Sequence, residues 1–550
     1  MIAIRAAGDA ALLMETGQLA IDNDHGNGPV ELAAAIRSAP LPGLADVVPG
    51  AATVLVTVEP GSWALADLAA RLRQLASAAA ASPPPPRSAV LVLDTVYDGP
   101  DLADVAALTG LSTGEVIARH AAAEYRVGWL GFSPGFGYLN GLDPLLAAVP
   151  RLDTPRLSVR AGSVAIGGGL AAIYPAASPG GWRLLGRTAA ALWDAGRNPP
   201  ALLSPGQRIR FRPADQLRAA ASVPEVAAAP GSPPQAAPAG PQHAARARLI
   251  QVIQPGPLAT VQDLGRIGLA HLGVPGSGAA DAASLRRANR LVGNDETAAG
   301  LEATLGRLVV RFEADAVAAV TGAPVPLTLE PDPYGGEPAH DTRFEVRAGS
   351  ALKLGSPRAG LRSYLAVDGG IEVPPVLGSR STDRLSGLGP APLRAGDLLP
   401  LGPPRSLPGK PRDTRPRAVP SAAVPAGGAQ AVQLRAIAGP RHDWFTAAAL
   451  TALQGGGYQV TAASDRTGLR LAGPVLTRAP GRTGELASEG TAAGSLQVTH
   501  DGQLILLLAD HPVTGGYPVI AVVVSADLGL AAQLRPGQRI RFAVRVADLG

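Results

Sequence analysis

Pro205–Phe211 reads PGQRIRF, and Pro536–Phe542 reads PGQRIRF again. A seven-residue identity within one chain marks an internal repeat rather than coincidence. The flanks keep step with it. Gly162-Ser163-Val164 precedes the first copy by 43 residues, and Gly494-Ser495-Leu496 precedes the second by 42. Between them stand Pro179-Gly180-Gly181-Trp182 in one copy and Thr514-Gly515-Gly516-Tyr517 in the other. Upstream, SPGFGYLNGL (133–142) takes the place of SDRTGLRLAG (464–473). Each copy is a schedule of short apolar runs bounded by Gly, Pro or Asp. That predicts two domains of one template, each a closed or nearly closed β-barrel.

Outward from the repeats, a chain of 550 residues is too long for a single core. Residues 218–248 and 403–430 are rich in Pro and Ala and poor in large apolar side chains, so they read as linkers. The expected organisation is an α+β unit over 1–87, the first barrel over 88–217, a β-rich domain over 249–402 and the second barrel over 431–550. The first unit reads β–α–β–α, with one apolar strand within 46–58 and a helix over 63–81. Further strands are expected at 156–166, 208–212, 316–320, 342–346, 503–508 and 519–525, and short helices at 102–107 and 112–123. The fold class is mostly β with an α+β N-terminal segment, and 67 glycines with 53 prolines argue against long helices.

Composition removes several functions. Net charge is +4 with 17% charged residues, and the basic residues, all arginine except Lys353 and Lys410, are scattered. Nucleic-acid binding needs a concentrated basic patch, so none is expected. The absence of cysteine excludes disulfides, thiolate metal sites and cysteine nucleophiles. The eight histidines show no ligand spacing, so no metal site is expected. The N-terminus lacks a signal-peptide pattern and no apolar run reaches membrane-spanning length, so a cytoplasmic protein without a membrane partner is expected. No P-loop and no G-x-S-x-G elbow occurs. The only methionines, Met1 and Met14, are not beside a lysine, so covalent biotin on this chain is excluded.

What remains is a set of glycine-dense polar loops. In GFSPGFGYLNG (131–141), Phe132 and Tyr138 are candidates to wall a pocket, with Gly135 letting the backbone approach a ligand, or else to pack as core. Ser178, Gly180, Gly181 and Trp182, followed by Arg183 and Arg187, suit an anion or form a plain hairpin turn. TVQDLGRIGLAHLG (260–273) brings Asp263, Arg266 and His271 together as acid–base candidates, although Asp263 and Arg266 also have the spacing of a structural ion pair. Arg286 lies on a short helix that equally reads as a solvated face. Ser379, Arg380, Ser381, Thr382 and Asp383 crowd donors between glycines, as a carboxylate or phosphate site or a hydrogen-bonded loop would. Asp510-His511 is a further acid–base candidate.

Together these loops resemble a bacterial family. GFSPGFGYLNGLDP and residues 154–188 resemble allophanate hydrolase subunit 1, also called KipI or the B-type subunit of 5-oxoprolinase. Residues 255–294, YLAVDGGIEVPPVLGSRSTDRLSGLG (364–389), SDRTGLRLAGP (464–474) and ADHPVTGGYPVIAVVVSADL (509–528) resemble allophanate hydrolase subunit 2, KipA or the C-type subunit of 5-oxoprolinase. The resemblance covers nearly everything outside the linkers and implies a B–C fusion with cyclophilin-like barrels. It adds Ser163, Asp465, Arg466, Thr514, Gly515 and Gly516 to the candidate binding residues. The sequence departs from the family pattern at Gly137, Thr467 and His511; the last replaces an arginine suited to an anion.

The resemblance implies three activities. The first is ATP-dependent opening of 5-oxo-L-proline to L-glutamate with a LamB/YcsF-type A component, Mg-ATP being a co-substrate bound at an interface. The second is carboxyl transfer from biotin to urea, as in urea amidolyase, with carboxybiotin supplied in trans. The third is regulation of a histidine kinase. The first is the expectation, with Asp263, His271 and Asp383 as catalytic residues, a small-molecule substrate, and a homo-oligomer compatible with the sequence.

Overall fold

The computed structural model describes residues 2–16, 28–81, 89–217, 248–331, 337–404, 431–482, 484 and 486–549. Nearly all of both expected linkers lies outside the described residues. Among the described residues no helix is long and apolar enough to cross a membrane.

The two copies of PGQRIRF do the same thing. Arg208–Pro213 and Arg539–Arg545 each pair parallel with the first strand of their own domain, Val90–Thr95 and Val432–Ala438, and antiparallel with Tyr125–Leu130 and Tyr458–Val460. Alternation sends Ile209 and Phe211, or Ile540 and Phe542, inward. Phe211 meets Tyr125 at 5.2 Å between ring centroids and Phe542 meets Tyr458 at 5.7 Å. Gly206 and Gly537 take φ of +86° and +89°, the left-handed turn that feeds each strand.

The second copy is a closed seven-stranded barrel. Its order is Val519–Val523, Ser495–Val498, Leu504–Leu507, Gly468–Ala472, Tyr458–Val460, Arg539–Arg545, Val432–Ala438. The first copy repeats that order strand for strand, from Arg183–Arg187 through Ser163–Gly167, Leu170–Ile173, Gly137–Asn140, Tyr125–Leu130 and Arg208–Pro213 to Val90–Thr95. Its ends meet through a Val96–Arg187 bridge with hydrogen bonds of 3.0 and 2.9 Å. The segment at 156–166 is two strands, Arg156–Val159 and Ser163–Gly167, parted by Gly162 at φ +80°.

Residues 248–404 form two five-stranded sheets closed over one apolar core that includes Val252, Val310, Phe312, Leu352 and Leu365. The N-terminal unit corrects the β–α–β–α reading. It is a four-stranded sheet with Pro29–Ser38 and Leu65–Ala81 packed on one face, and 46–58 is a hairpin, Leu44–Pro49 and Thr53–Val58, not one strand. The run TVLVTV is apolar on both faces because both are covered. Val54, Val56 and Val58 meet the helices, while Leu55 joins Leu13 and Val48 against Ala270 and Val513 of the C-type half.

Candidate functional site

The loop 263–278 runs along the seam between the two halves and touches all four folded units. The strand Leu258–Gln262 delivers Asp263, whose carboxylate is a scaffold. Oδ1 accepts from Ser379 Oγ at 2.6 Å, from Gly265 N at 2.8 Å and from Ser381 Oγ; Oδ2 accepts from Arg380 N at 2.6 Å. Asp263 and Arg266 do not pair. Arg266 instead donates to the carbonyls of Val376 (3.1 Å) and Ser381 (2.7 Å), and burial lowers its pKa. Arg380 is held by Val373 O and Glu372.

Asp383 follows on the same loop and is buried. It accepts from the backbone of Leu385 (2.9 Å) and Ser386 (3.3 Å) and from the Ser386 hydroxyl. Burial, and then the nearby Asp510, raise its pKa from the ordinary aspartate value.

Beneath lies a buried charged joint between the middle domain and the second barrel. Arg466 forks onto Asp510 (2.9 Å to each oxygen), reaches Glu302 at 2.6 Å and caps Gly278 O at 2.5 Å. Burial alone would lower the pKa of Arg466; Glu302 and Asp510 more than offset it. Ser277, a non-glycine residue at φ +52°, donates to Asp510 at 2.7 Å and to Thr382 O at 3.3 Å. A second tie uses Gln533, which accepts from Leu361 N and Arg362 N and donates to Asp281 at 2.9 Å.

On the other side, the loop meets the first barrel. Gly135 N donates to Leu272 O at 3.0 Å, and Phe132 N donates to Thr514 Oγ1 at 3.1 Å. Phe132 stands half exposed at φ +63° in front of a buried aromatic wall. There Trp129 and Tyr138 stack at 4.6 Å, with Phe136, Tyr174 and Trp182 edge-on to their neighbours. The Tyr138 hydroxyl faces Ser488 and Thr514 of the second barrel. Trp129 Nε1 and Ser178 Oγ are buried without a partner.

His271 sits apart from Asp263, at the N-terminal unit. Asp46 accepts from Gly268 N (3.1 Å) and Ala270 N (2.9 Å), fixing the turn that carries His271. Burial, reinforced by Arg37, pushes His271 down to about 4, and burial raises Asp46 to about 6. Arg37 Nη1 is itself buried without a partner.

The structure therefore gathers Asp263, Arg266, Ser379 to Asp383 and Arg466 into one network. Phe132, Gly135, Tyr138, Trp182 and Thr514 form a second cluster across the seam, and Gly515 continues the strand from Thr514 by pairing with Glu489. Gly180 packs on the Tyr174 hydroxyl and Gly181 on Leu152, at the edge of that cluster. Gly516 lies beside Leu486 O. Besides His271, three more candidates stay outside both clusters. Arg286 is on an exposed helix face near Glu296, at 3.9 Å. Asp465 closes an exposed turn onto Thr467 N and Gly468 N. Ser163 begins a barrel strand opposite Arg187. Arg183 and Arg187 are paired with Asp104 and Asp98. Sequence reading missed Gln262, Ser277, Glu302 and Asp46, which sit in apolar or ordinary strand contexts with no motif spacing to mark them. Among the described residues no three His, Asp or Glu gather to hold a metal ion.

Comparison with known proteins gives the same two halves. Residues 2–203 match the family described as carboxyltransferase domain, subdomain C and D, and residues 272–544 match carboxyltransferase domain, subdomain A and B. The chain is 40% identical over 301 residues to the 5-oxoprolinase C subunit of Escherichia coli K12, covering 54% of this chain and 90% of that protein. It is 42% identical over 181 residues to the 5-oxoprolinase B subunit of Escherichia coli O157:H7, covering 32% of this chain and 81% of that protein. Urea amidolyase of Saccharomyces cerevisiae is 33% identical over 307 residues, 53% of this chain but only 16% of that much longer protein. The crystal structure of TTHA0988 superposes with a TM-score of 0.78 at 35% identity, covering 99% of this chain and all of that one. The chain thus belongs to the carboxyltransferase-domain family, with its C–D and A–B parts, homologous to the B and C subunits of 5-oxoprolinase, in one polypeptide.

Proposed function

We propose that the chain is the fused B/C component of an ATP-dependent 5-oxoprolinase, opening 5-oxo-L-proline to L-glutamate together with a separate LamB/YcsF-type A component. One observation carries the reading: the halves that match the B and C subunits of that enzyme pack on each other, with the loop 263–278 of the C-type half bonded to Asp46 and Gly135 of the B-type half and to Arg466 of the second barrel. The two parts thus share one seam.

A lactam resists water because its carbonyl carbon is a poor electrophile. Transfer of the terminal phosphoryl group of Mg-ATP to the lactam oxygen, releasing ADP, makes that carbon attackable. One water adds, the C–N bond breaks to free the amine and leave an acyl phosphate, and a second water releases phosphate. Asp383, with its raised pKa, is the group for the proton that reaches the leaving nitrogen. Asp263 acts as the positioning residue that holds the 379–381 loop. Arg384, exposed on that loop and without an ion pair among the described residues, is the cation available to a phosphate at the joint with the A component.

The test is Asp383→Asn in the reconstituted enzyme. Glutamate release should fall by about 10²-fold or more at unchanged folding; unchanged turnover would remove Asp383 and the acid–base assignment with it. The second reading is carboxyl transfer from carboxybiotin supplied in trans, favoured by the likeness to urea amidolyase. Label passing from carboxybiotin to urea, with no glutamate formed from 5-oxoproline, would decide for it.

A further inference from the structure

Three buried polar atoms without partners belong to neighbouring side chains in the network around Asp263: Gln262 Oε1, Thr382 Oγ1 and Arg266 Nη1. The residues are 0%, 2% and 2% exposed. Each of the three residues also bonds at the 381–382 backbone. Gln262 Nε2 donates to Thr382 O at 3.0 Å, Arg266 Nη2 donates to Ser381 O, and Thr382 N donates to Val261 O at 2.9 Å. A carbonyl oxygen only accepts, so the Gln262 amide cannot be flipped without losing that bond, and its free atom is the acceptor. The free atom of Arg266 is a donor, and the Thr382 hydroxyl serves as either.

A buried group left unsatisfied is a place where a partner is missing. A donor and an acceptor whose side chains are held on the consecutive carbonyls of Ser381 and Thr382 match a group that is itself acceptor and donor, O=C–N–H. Charge narrows the choice. Asp263, Asp383 and Asp510 all act on Arg266, so the group first met at these three atoms is better a neutral amide than a carboxylate, whatever charge the rest of the ligand carries. Directly after Asp383 the chain turns outward, with Arg384, Leu385 and Gly387 exposed, so the three atoms lie at the inner end of a surface loop.

We infer that Gln262, Arg266 and Thr382 read the amide of the substrate, Arg266 donating to its carbonyl oxygen, Gln262 accepting its N–H and Thr382 supplying the third bond. With 5-oxoproline as substrate the inference rests on the oxoprolinase reading; the amide recognition itself does not, since urea presents the same group.

The test is calorimetric binding to the full fused chain, alone and with the A component, using 5-oxoproline, urea and the lactone in which ring oxygen replaces the 5-oxoproline N–H. The wild type should favour lactam over lactone by about tenfold or more. Gln262→Met should weaken lactam binding by about that factor and erase the preference. Thr382→Val, nearly isosteric, should weaken both ligands, and the melting temperature of each variant reports its folding. If 5-oxoproline fails to bind but urea binds in a Gln262-dependent way, the amide reader stands and the oxoprolinase reading falls. Unchanged affinities in both folded variants, or no binding of either amide in any assembly, would overturn the inference.

Discussion

Asp263 works as an acceptor that orders a loop. Its two oxygens collect four donors from Gly265, Ser379, Arg380 and Ser381, and its removal strands all of them in a buried loop. Asp263→Ala should therefore destabilise the chain by about 2–4 kcal/mol, seen as a lowered urea midpoint, and Asp263→Asn by less. His271 and Asp46 make opposed pH predictions. The folded pKa of His271 is depressed to about 4, so the unfolded chain takes the proton first and stability is lost as pH falls from about 6.5 to about 4. Asp46 is raised to about 6, so its contribution is full below about 3.8 and is lost as pH rises to about 6. Relative to wild type, His271→Gln should save about 2 kcal/mol on going from pH 7 to pH 4, while Asp46→Asn should steepen the acid loss; urea unfolding at stepped pH checks both. That Asp263 sits in a polar, glycine-rich loop was legible in its setting. Its partners were not, because Ser379 and Ser381 lie 116 and 118 residues away, and residue spacing reports only local neighbours.

At the scale of elements, the repeated PGQRIRF read correctly because both copies face one requirement: an arginine-edged strand closing a barrel with one aromatic turned inward. Phe211→Ala or Phe542→Ala should each cost about 3–5 kcal/mol, the ordinary loss for a buried phenylalanine, measured by denaturant unfolding. The hairpin at 44–58 read as a single strand because Gly50 to Ala52 is a short turn between two apolar runs, and periodicity does not resolve so tight a reversal. Arg466 shows what the element scale adds. Sequence places it in an SDRTG turn, yet it bonds Gly278, Glu302 and Asp510 from three other segments. Arg466→Ala leaves the buried Asp510 without its cation and Glu302 with Arg362 alone, at 3.4 Å, and should cost about 3–5 kcal/mol, with the middle domain and second barrel loosening together in hydrogen exchange.

For the whole molecule, the halves are locked by polar contacts at separate points. Ser525 donates to Asp9 at 2.9 Å, Ala51 N to Ser488 O at 2.9 Å, Phe132 N to Thr514, and Arg441 holds Glu15 as well as Glu489. Gly131 lies so close to Thr514 that a Cβ there would overlap its side chain. Gly131→Val should therefore part the first barrel from the second, raising protease cleavage at the seam without unfolding either barrel. The barrel repeat that ties the halves by ancestry was plain in the sequence, whereas the seam was not, since it depends on how four units pack. The most direct measurement is glutamate and phosphate release from 5-oxoproline and Mg-ATP by the fused chain, with and without the A component. The account predicts equal release of both products only when that component is present. Turnover of carboxybiotin and urea, with no glutamate in either mixture, would contradict it.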